Sequence, residues 1–157
     1  MINKPCFVFL FCIAIFGLYS CATTTNLPQQ ESDNAKNIIT PSGKSIIYVY
    51  RISNYGYAVG LSVRCNNTDI ETFFPKRFYL CVLDPGKYVF TYSGENEDDV
   101  ILIAEPNKKY YIQVRAQTGW AAARCKLELT DLEKGSSDIL KCKLVGMNEA
   151  AKACLIK

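Results

Sequence analysis

The chain has 157 residues, with 18 Lys and Arg against 15 Asp and Glu, a formal net charge of +3, and no histidine. Charge this close to neutral excludes the basic footprint of a nucleic-acid binder. The absence of histidine removes the commonest general base and the commonest metal ligand. No Cys-x-x-Cys pair replaces it, so no metal or cofactor is expected.

Residues 1–20 hold one charge, Lys4, and every residue from Phe7 to Leu18 is apolar or glycine. A membrane-spanning helix needs roughly 20 such residues, so the run is too short to span. A positive start, a brief apolar stretch and a small residue at its end describe a secretory signal. The run closes on Leu18-Tyr19-Ser20-Cys21. Leu-x-Ser-Cys resembles the lipobox of bacterial lipoproteins. That resemblance implies a signal peptide over 1–20, cleavage before Cys21, and acylation of the Cys21 thiol. Two or more acyl chains hold a protein stably at a membrane where one does not. The mature protein is then anchored to a membrane without spanning it. Ala22 in place of the usual retention aspartate implies an outer-membrane address where the host has an outer membrane.

Residues 22–43 are rich in Thr, Gln, Asn, Pro and Ser. Such a segment buries too little apolar surface to offset its ordering entropy, and reads as a flexible tether after the lipidated cysteine. The domain begins near Lys44. Strands are expected over 45–52, 58–65, 69–74, 78–83, 87–93, 100–104, 110–116 and 122–129, each short and rich in β-branched and aromatic residues. Turn signals separate them. Asn66-Asn67-Thr68 also matches a glycosylation sequon but reads as a tight turn. Asp84-Pro85-Gly86-Lys87 reads as the strongest hairpin, with positive φ at Gly86. Beyond it Tyr88, Phe90 and Tyr92 alternate on one strand face. The acidic run Glu95, Glu97, Asp98 and Asp99 lacks the order of a calcium loop and reads as a solvated turn.

About eight short strands with turns every few residues predict an all-β fold, a single antiparallel β-sandwich of transthyretin-like or immunoglobulin-like appearance over 44–146. In 137–145, Leu140, Cys142 and Leu144 alternate with lysines, which says strand, while Ser137 or Asp138 before the apolar run favours a short C-terminal helix. The tail, 147–157, carries a helical turn capped by Asn148.

Cys65, Cys81, Cys125, Cys142 and Cys154 remain after the signal and Cys21. An exported compartment permits disulfides. Five thiols make at most two bridges and leave one over; the bland reading is two structural bridges, or buried small hydrophobes, plus one inert thiol. The expected pairs are Cys125 with Cys142, where the chain folds back past Glu133-Lys134-Gly135, and Cys65 with Cys81.

Three segments in order carry a further resemblance: Ile46-Ile47-Tyr48-Val49-Tyr50-Arg51, the Leu83-Asp84-Pro85-Gly86-Lys87-Tyr88 turn, and Lys109-Tyr110-Tyr111 running to Val114-Arg115 and then Gly119-Trp120. Together they resemble an uncharacterised family of small bacterial envelope lipoproteins that pair a lipobox with one β-sandwich. The resemblance implies an envelope lipoprotein with no assigned reaction and brings no catalytic residues.

Two constellations could bind. Tyr55 and Tyr57 on a glycine-containing loop, with Trp120, could form an aromatic patch, because rigid amphipathic rings supply contact area at low entropy cost. Arg115 and Arg124 flank Trp120 and could grip a carboxylate in two-point fashion. The bland alternatives are rings covering the sandwich edge and surface arginines stacking on an aromatic. The expected function is a non-catalytic binding or structural module tethered to the envelope. The alternatives are an accessory subunit or inhibitor docking on another envelope protein, or a redox protein using a leftover thiol.

Overall fold

A computed structural model of the chain describes residues 27–120 and 123–155. The signal sequence and Cys21 lie outside these residues. The elements are α1 (Gln29–Lys36), β1 (Ser45–Arg51), β2 (Leu61–Cys65), β3 (Thr68–Phe73), β4 (Arg77–Leu83), β5 (Gly86–Ser93), β6 (Glu97–Ala104), β7 (Lys109–Gln117), β8 (Arg124–Thr130), α2 (Leu132–Leu140), β9 (Lys143–Met147) and α3 (Glu149–Leu155).

The strands form two sheets, ordered β8-β7-β1-β4-β9 and β3-β2-β5-β6. Between them lies one apolar core, with Val49, Leu61, Val63, Phe73, Phe90, Ile112 and Leu127 among its members. A second core fills the other face of the five-stranded sheet, where α1 (Ala35), α2 (Ile139) and α3 (Ala151) cover Tyr48, Tyr50, Phe78, Leu80 and Tyr111. The molecule is therefore mostly β, a two-sheet sandwich with helices on one outer face. Strand β1 explains the layering. All seven of its residues are buried, as expected of a strand covered on both faces. Its alternate side chains feed the two cores. The stacked rings of Tyr48 and Tyr111, 5.1 Å apart at 9°, anchor the helix side. Helix α2 reaches that pair through Gly135, where a β-carbon would collide with the Tyr111 ring.

Each of the eight expected strands has a counterpart with shifted bounds among the nine strands of the described residues, β9 being the addition, and four further expectations change. First, the sandwich is not wholly antiparallel: β1–β7 and β4–β9 are parallel pairs. Second, Asp84-Pro85-Gly86-Lys87 is not a hairpin. Strand β4 pairs with β1 and β9, while β5 pairs with β2 and β6, so this turn carries the chain from one sheet to the other. Gly86 is not among the positive-φ glycines, and a β-carbon there would meet only the Tyr88 ring at 3.8 Å. The register of β5 is set by its hairpin with β6, from Gly86 opposite Ala104 to Ser93 opposite Glu97. Phe90 and Tyr92 do enter the inter-sheet core, with Tyr88 partly buried against it. Third, the second half of the expected tether is folded. In α1, Ser32 and Ala35 are buried, the Leu144 amide donates to Ser32 Oγ at 3.1 Å, and Tyr48 Oη donates to the Ala35 carbonyl at 2.9 Å. The domain thus starts before Lys44. Fourth, the tail holds a helix and a strand in turn. Helix α2 starts earlier than expected, capped by Asp131, and Leu144 lies on β9. Asn148 caps α3 as expected, accepting from the Ala151 amide at 3.0 Å. The Asn66-Asn67 turn also stands: both residues have positive φ, 47° and 65°, as a two-residue hairpin loop of the favoured twist requires.

Candidate functional site: an aromatic groove over a buried arginine

Because β1 and β7 run parallel, the loops that follow them leave the sandwich at the same end. One loop carries Tyr55, Tyr57 and Val59, and the other carries Thr118 and Trp120. The two are tied together by a 2.5 Å hydrogen bond between Tyr55 Oη and Thr118 Oγ1. Between them lies an open groove of about 330 Å³, with Tyr55, Gly56, Val59, Ala116 and Trp120 among its walls. Trp120 is 97% exposed, Tyr57 77% and Tyr55 52%. Of the two aromatic alternatives, the rings therefore stand free of the sandwich edge. Tyr55 and Trp120 share the groove, and Tyr57 lies outside its lining on the same loop.

The groove's floor rests on Arg51, the last residue of β1, fully buried at the end of the inter-sheet space. Its guanidinium donates to four backbone carbonyls: Val59 at 2.6 Å and Phe73 at 2.9 Å through Nη1, Tyr55 at 2.7 Å and Gly56 at 2.8 Å through Nη2. Among the described residues, no carboxylate forms an ion pair with it. Burial pushes the Arg51 pKa below its ordinary value, with the Cys125 thiol opposing, but a guanidinium stays charged at neutral pH. A planar fork of five donors suits several carbonyls at once, where an ammonium does not. Gly56 itself sits at φ +63°, a conformation that side chains disfavour.

The other wall is fixed from the β5–β6 turn. Glu95 Oε1 accepts from the Trp120 amide at 2.8 Å and pairs with Arg124 Nε at 3.3 Å. Asn96 Oδ1 accepts from the Cys125 amide and its Nδ2 donates to the Cys125 carbonyl. Asp98 accepts from the Leu127 amide at 2.6 Å, and Tyr92 Oη donates to the Ala123 carbonyl at 2.8 Å. The acidic run expected as a solvated turn is thus partly spent on clamping β8. Among the described residues, no group of three or more His, Cys, Asp or Glu could hold a metal ion.

The two arginines do not converge. Arg124 is paired with Glu95, while Arg115 Nη1 donates to Glu128 at 3.0 Å and lines a separate groove with Gln113 and Lys134. The two arginines are thus engaged by separate glutamates, Arg115 by Glu128 and Arg124 by Glu95.

The expected bridges are not formed: Cys65, Cys81, Cys125, Cys142 and Cys154 are free thiols. Cys125 points into the inter-sheet core and Cys142 into the helix-side core, so the five-stranded sheet separates them and that pairing fails. Cys65 and Cys81 share the inter-sheet core without a bond. Burial pushes the Cys65 thiol up to about 11, the Cys125 and Cys142 thiols up to about 12, and Cys81 higher still. Lys36, Lys141 and Lys76 oppose the rise at Cys142 without overcoming it. A nucleophilic or redox cysteine needs the opposite shift.

Sequence reasoning missed Arg51, Glu95 and Thr118 as the residues that set the groove. One signal for Arg51 was present: a lone charge closing an otherwise apolar strand, followed at once by a glycine-containing loop.

No family model matches the chain, and no curated protein is similar to it. Among solved structures, the N-terminal domain of AlgF from P. aeruginosa aligns at 20% identity with a TM-score of 0.37, covering 58% of this chain and 98% of that one. At that TM-score the likeness assigns neither fold nor function to this chain.

Proposed function

We propose that the protein is a bacterial lipoprotein, anchored to the cell envelope through Cys21, whose domain is a non-catalytic binding module. Where the host has an outer membrane, Ala22 directs it there. The observation that carries the binding reading is Trp120, almost fully exposed beside Tyr55 on a groove whose walls are held by Arg51 and Glu95. Exposed rings on a fixed frame bind at low entropy cost. The chemistry around them supports binding over catalysis: histidine is absent from the sequence, and the buried thiols are held protonated. A photo-crosslinking residue placed at position 120, or at exposed Ile103 on β6, tests this in intact cells. The proposal expects a discrete adduct from position 120 and none from position 103. The absence of any adduct at 120 refutes it.

A second reading, an accessory subunit docking on another envelope protein, is favoured by Ile101 and Ile103. Both are 60% exposed on β6, an edge strand of the four-stranded sheet. Unpaired apolar edges are templates for association. An adduct from position 103 and not 120 decides for this reading.

A further inference from the structure

We infer that the end of the sandwich bearing Tyr55, Tyr57 and Trp120 lies against the bilayer that holds the Cys21 anchor, with Trp120 and Tyr57 at headgroup level. The inference rests on the lipid-anchor reading and names the partner of the aromatic end. Three observations carry it.

The first is the path of α1. Its contacts climb the sheet in order. The Ile38 carbonyl accepts from Lys109, which lies opposite Ile46 near the start of β1. The Ala35 carbonyl accepts from Tyr48 in mid-strand. Ser32 accepts from Leu144, which lies opposite Phe78 and, through it, Tyr50. The N-terminus of α1 therefore points toward the end where β1 delivers the aromatic loop. Leu27 packs on the same core as Ile52, the residue just after β1. From Leu27 back to Cys21 are six residues, which span at most about 22 Å even fully extended. Because α1 is docked, the domain cannot stand off from the lipid by the length of residues 22–43.

The second is the exposure of the rings. Trp and Tyr pair an apolar body with a polar tip and collect at membrane–water interfaces. Here they stand on loop tips at the end toward which α1 leads.

The third is charge. Lys76 and Lys143 are exposed at this end, joined by the Lys143 amide donating to the Lys76 carbonyl, and neither makes an ion pair among the described residues. At the opposite end Lys44 pairs with Asp84 and Lys108 with Glu105. Cations without ion pairs at the end that bears the exposed rings suit an anionic headgroup layer, although Glu97 at the β5–β6 turn is exposed at this end too.

Trp120 is the only tryptophan, so the emission of the whole chain reports on it. The full lipidated protein is reconstituted into vesicles of phosphatidylcholine and phosphatidylglycerol, with and without brominated acyl chains. The expected result is emission shifted to the blue and quenched by the brominated lipid. A Trp120→Phe, Ile103→Trp variant moves the single tryptophan to the far end and should be neither shifted nor quenched. Co-flotation with unquenched Trp120, or equal quenching at both positions, overturns the orientation and leaves the anchor standing. Failure to co-float overturns the anchor and the orientation together. A protein adduct from position 120 in cells, combined with unquenched Trp120, leaves the binding module standing without the bilayer as its partner.

Discussion

Replacing Arg51 with Met keeps most of the buried stem and deletes the donors. Four carbonyls then lose their partner, and they do not lose it equally. Those of Tyr55, Gly56 and Val59 lie in a loop that can turn toward water, whereas that of Phe73 ends a strand whose side chain is fully buried. A hydrogen bond from a charged donor contributes about 1.5–3 kcal/mol net, and a polar group left dry costs a similar amount. Against this, the substitution removes the need to desolvate a cation, a cost of several kcal/mol. One carbonyl stranded and three released, less that saving, gives a destabilisation of about 2–4 kcal/mol. For a domain near this size each kcal/mol lowers the melting point by about 4 °C, so a drop of about 8–16 °C is expected. Urea and thermal melts of the fragment from residue 27 onward measure it. Amide exchange should also accelerate over 52–60 more than elsewhere, because those carbonyls lose a shared anchor. Arg51→Lys should recover only part of the loss, since one ammonium cannot span four acceptors. A Met variant within about 0.5 kcal/mol of wild type refutes the reasoning: the loop would then hold itself, and the groove would not depend on the charge beneath it.

Gly135→Ala should cost about 1–3 kcal/mol in the same melts, because the added β-carbon meets the Tyr111 ring stacked on Tyr48 and α2 must lift. Gly86→Val, in contrast, should change stability by under about 1 kcal/mol, its β-carbon meeting nothing closer than 3.8 Å and its φ lying outside the left-handed region. Stability should fall as pH rises from about 9 toward 12. The unfolded thiols ionise near 9.0, the buried Cys125 and Cys142 thiols only near 12, so alkali favours the unfolded chain, and a Cys142→Ser variant should show a shallower slope. Cys125 and Cys142 should also resist thiol reagents at neutral pH until denaturant is added; fast labelling of either in the folded protein contradicts their burial.

What the sequence made legible follows from local physics. Strand period two and turn chemistry are local, so the eight expected strands appear, and Asn66-Asn67 takes the twist that paired positive φ values impose. Pairing is not local. Nothing in Ile46–Arg51 or Lys109–Gln117 announces that these strands run parallel, and the Pro85-Gly86 turn looks the same whether it closes a hairpin or crosses between sheets. The run Ile46 to Tyr50, with no charged residue to alternate with the apolar ones, held a signal that strand periodicity alone did not use: such a strand needs cover on both faces, hence the helices. Helix α1 stayed hidden because Gln29–Lys36 has almost no apolar residues. It docks through small ones, Ser32 and Ala35, and through hydrogen bonds to Leu144 and Tyr48. The aromatic end was half legible. Tyr55, Tyr57 and Trp120 were visible as rings on loops, but only the fold shows that two of them share a groove and that Arg51 and Glu95 set it.

The central claim is that a lipid on Cys21 holds this domain at a membrane. The most direct measurement is the mass of the N-terminal peptide of the protein isolated from membranes of cells fed labelled fatty acid. The account predicts a mature chain that begins at Cys21 and carries the label on that residue. Cys21→Ala should lose the label and accumulate as precursor or leave the membrane. A chain that retains Met1, or one cleaved near residue 20 with an unmodified Cys21, contradicts it.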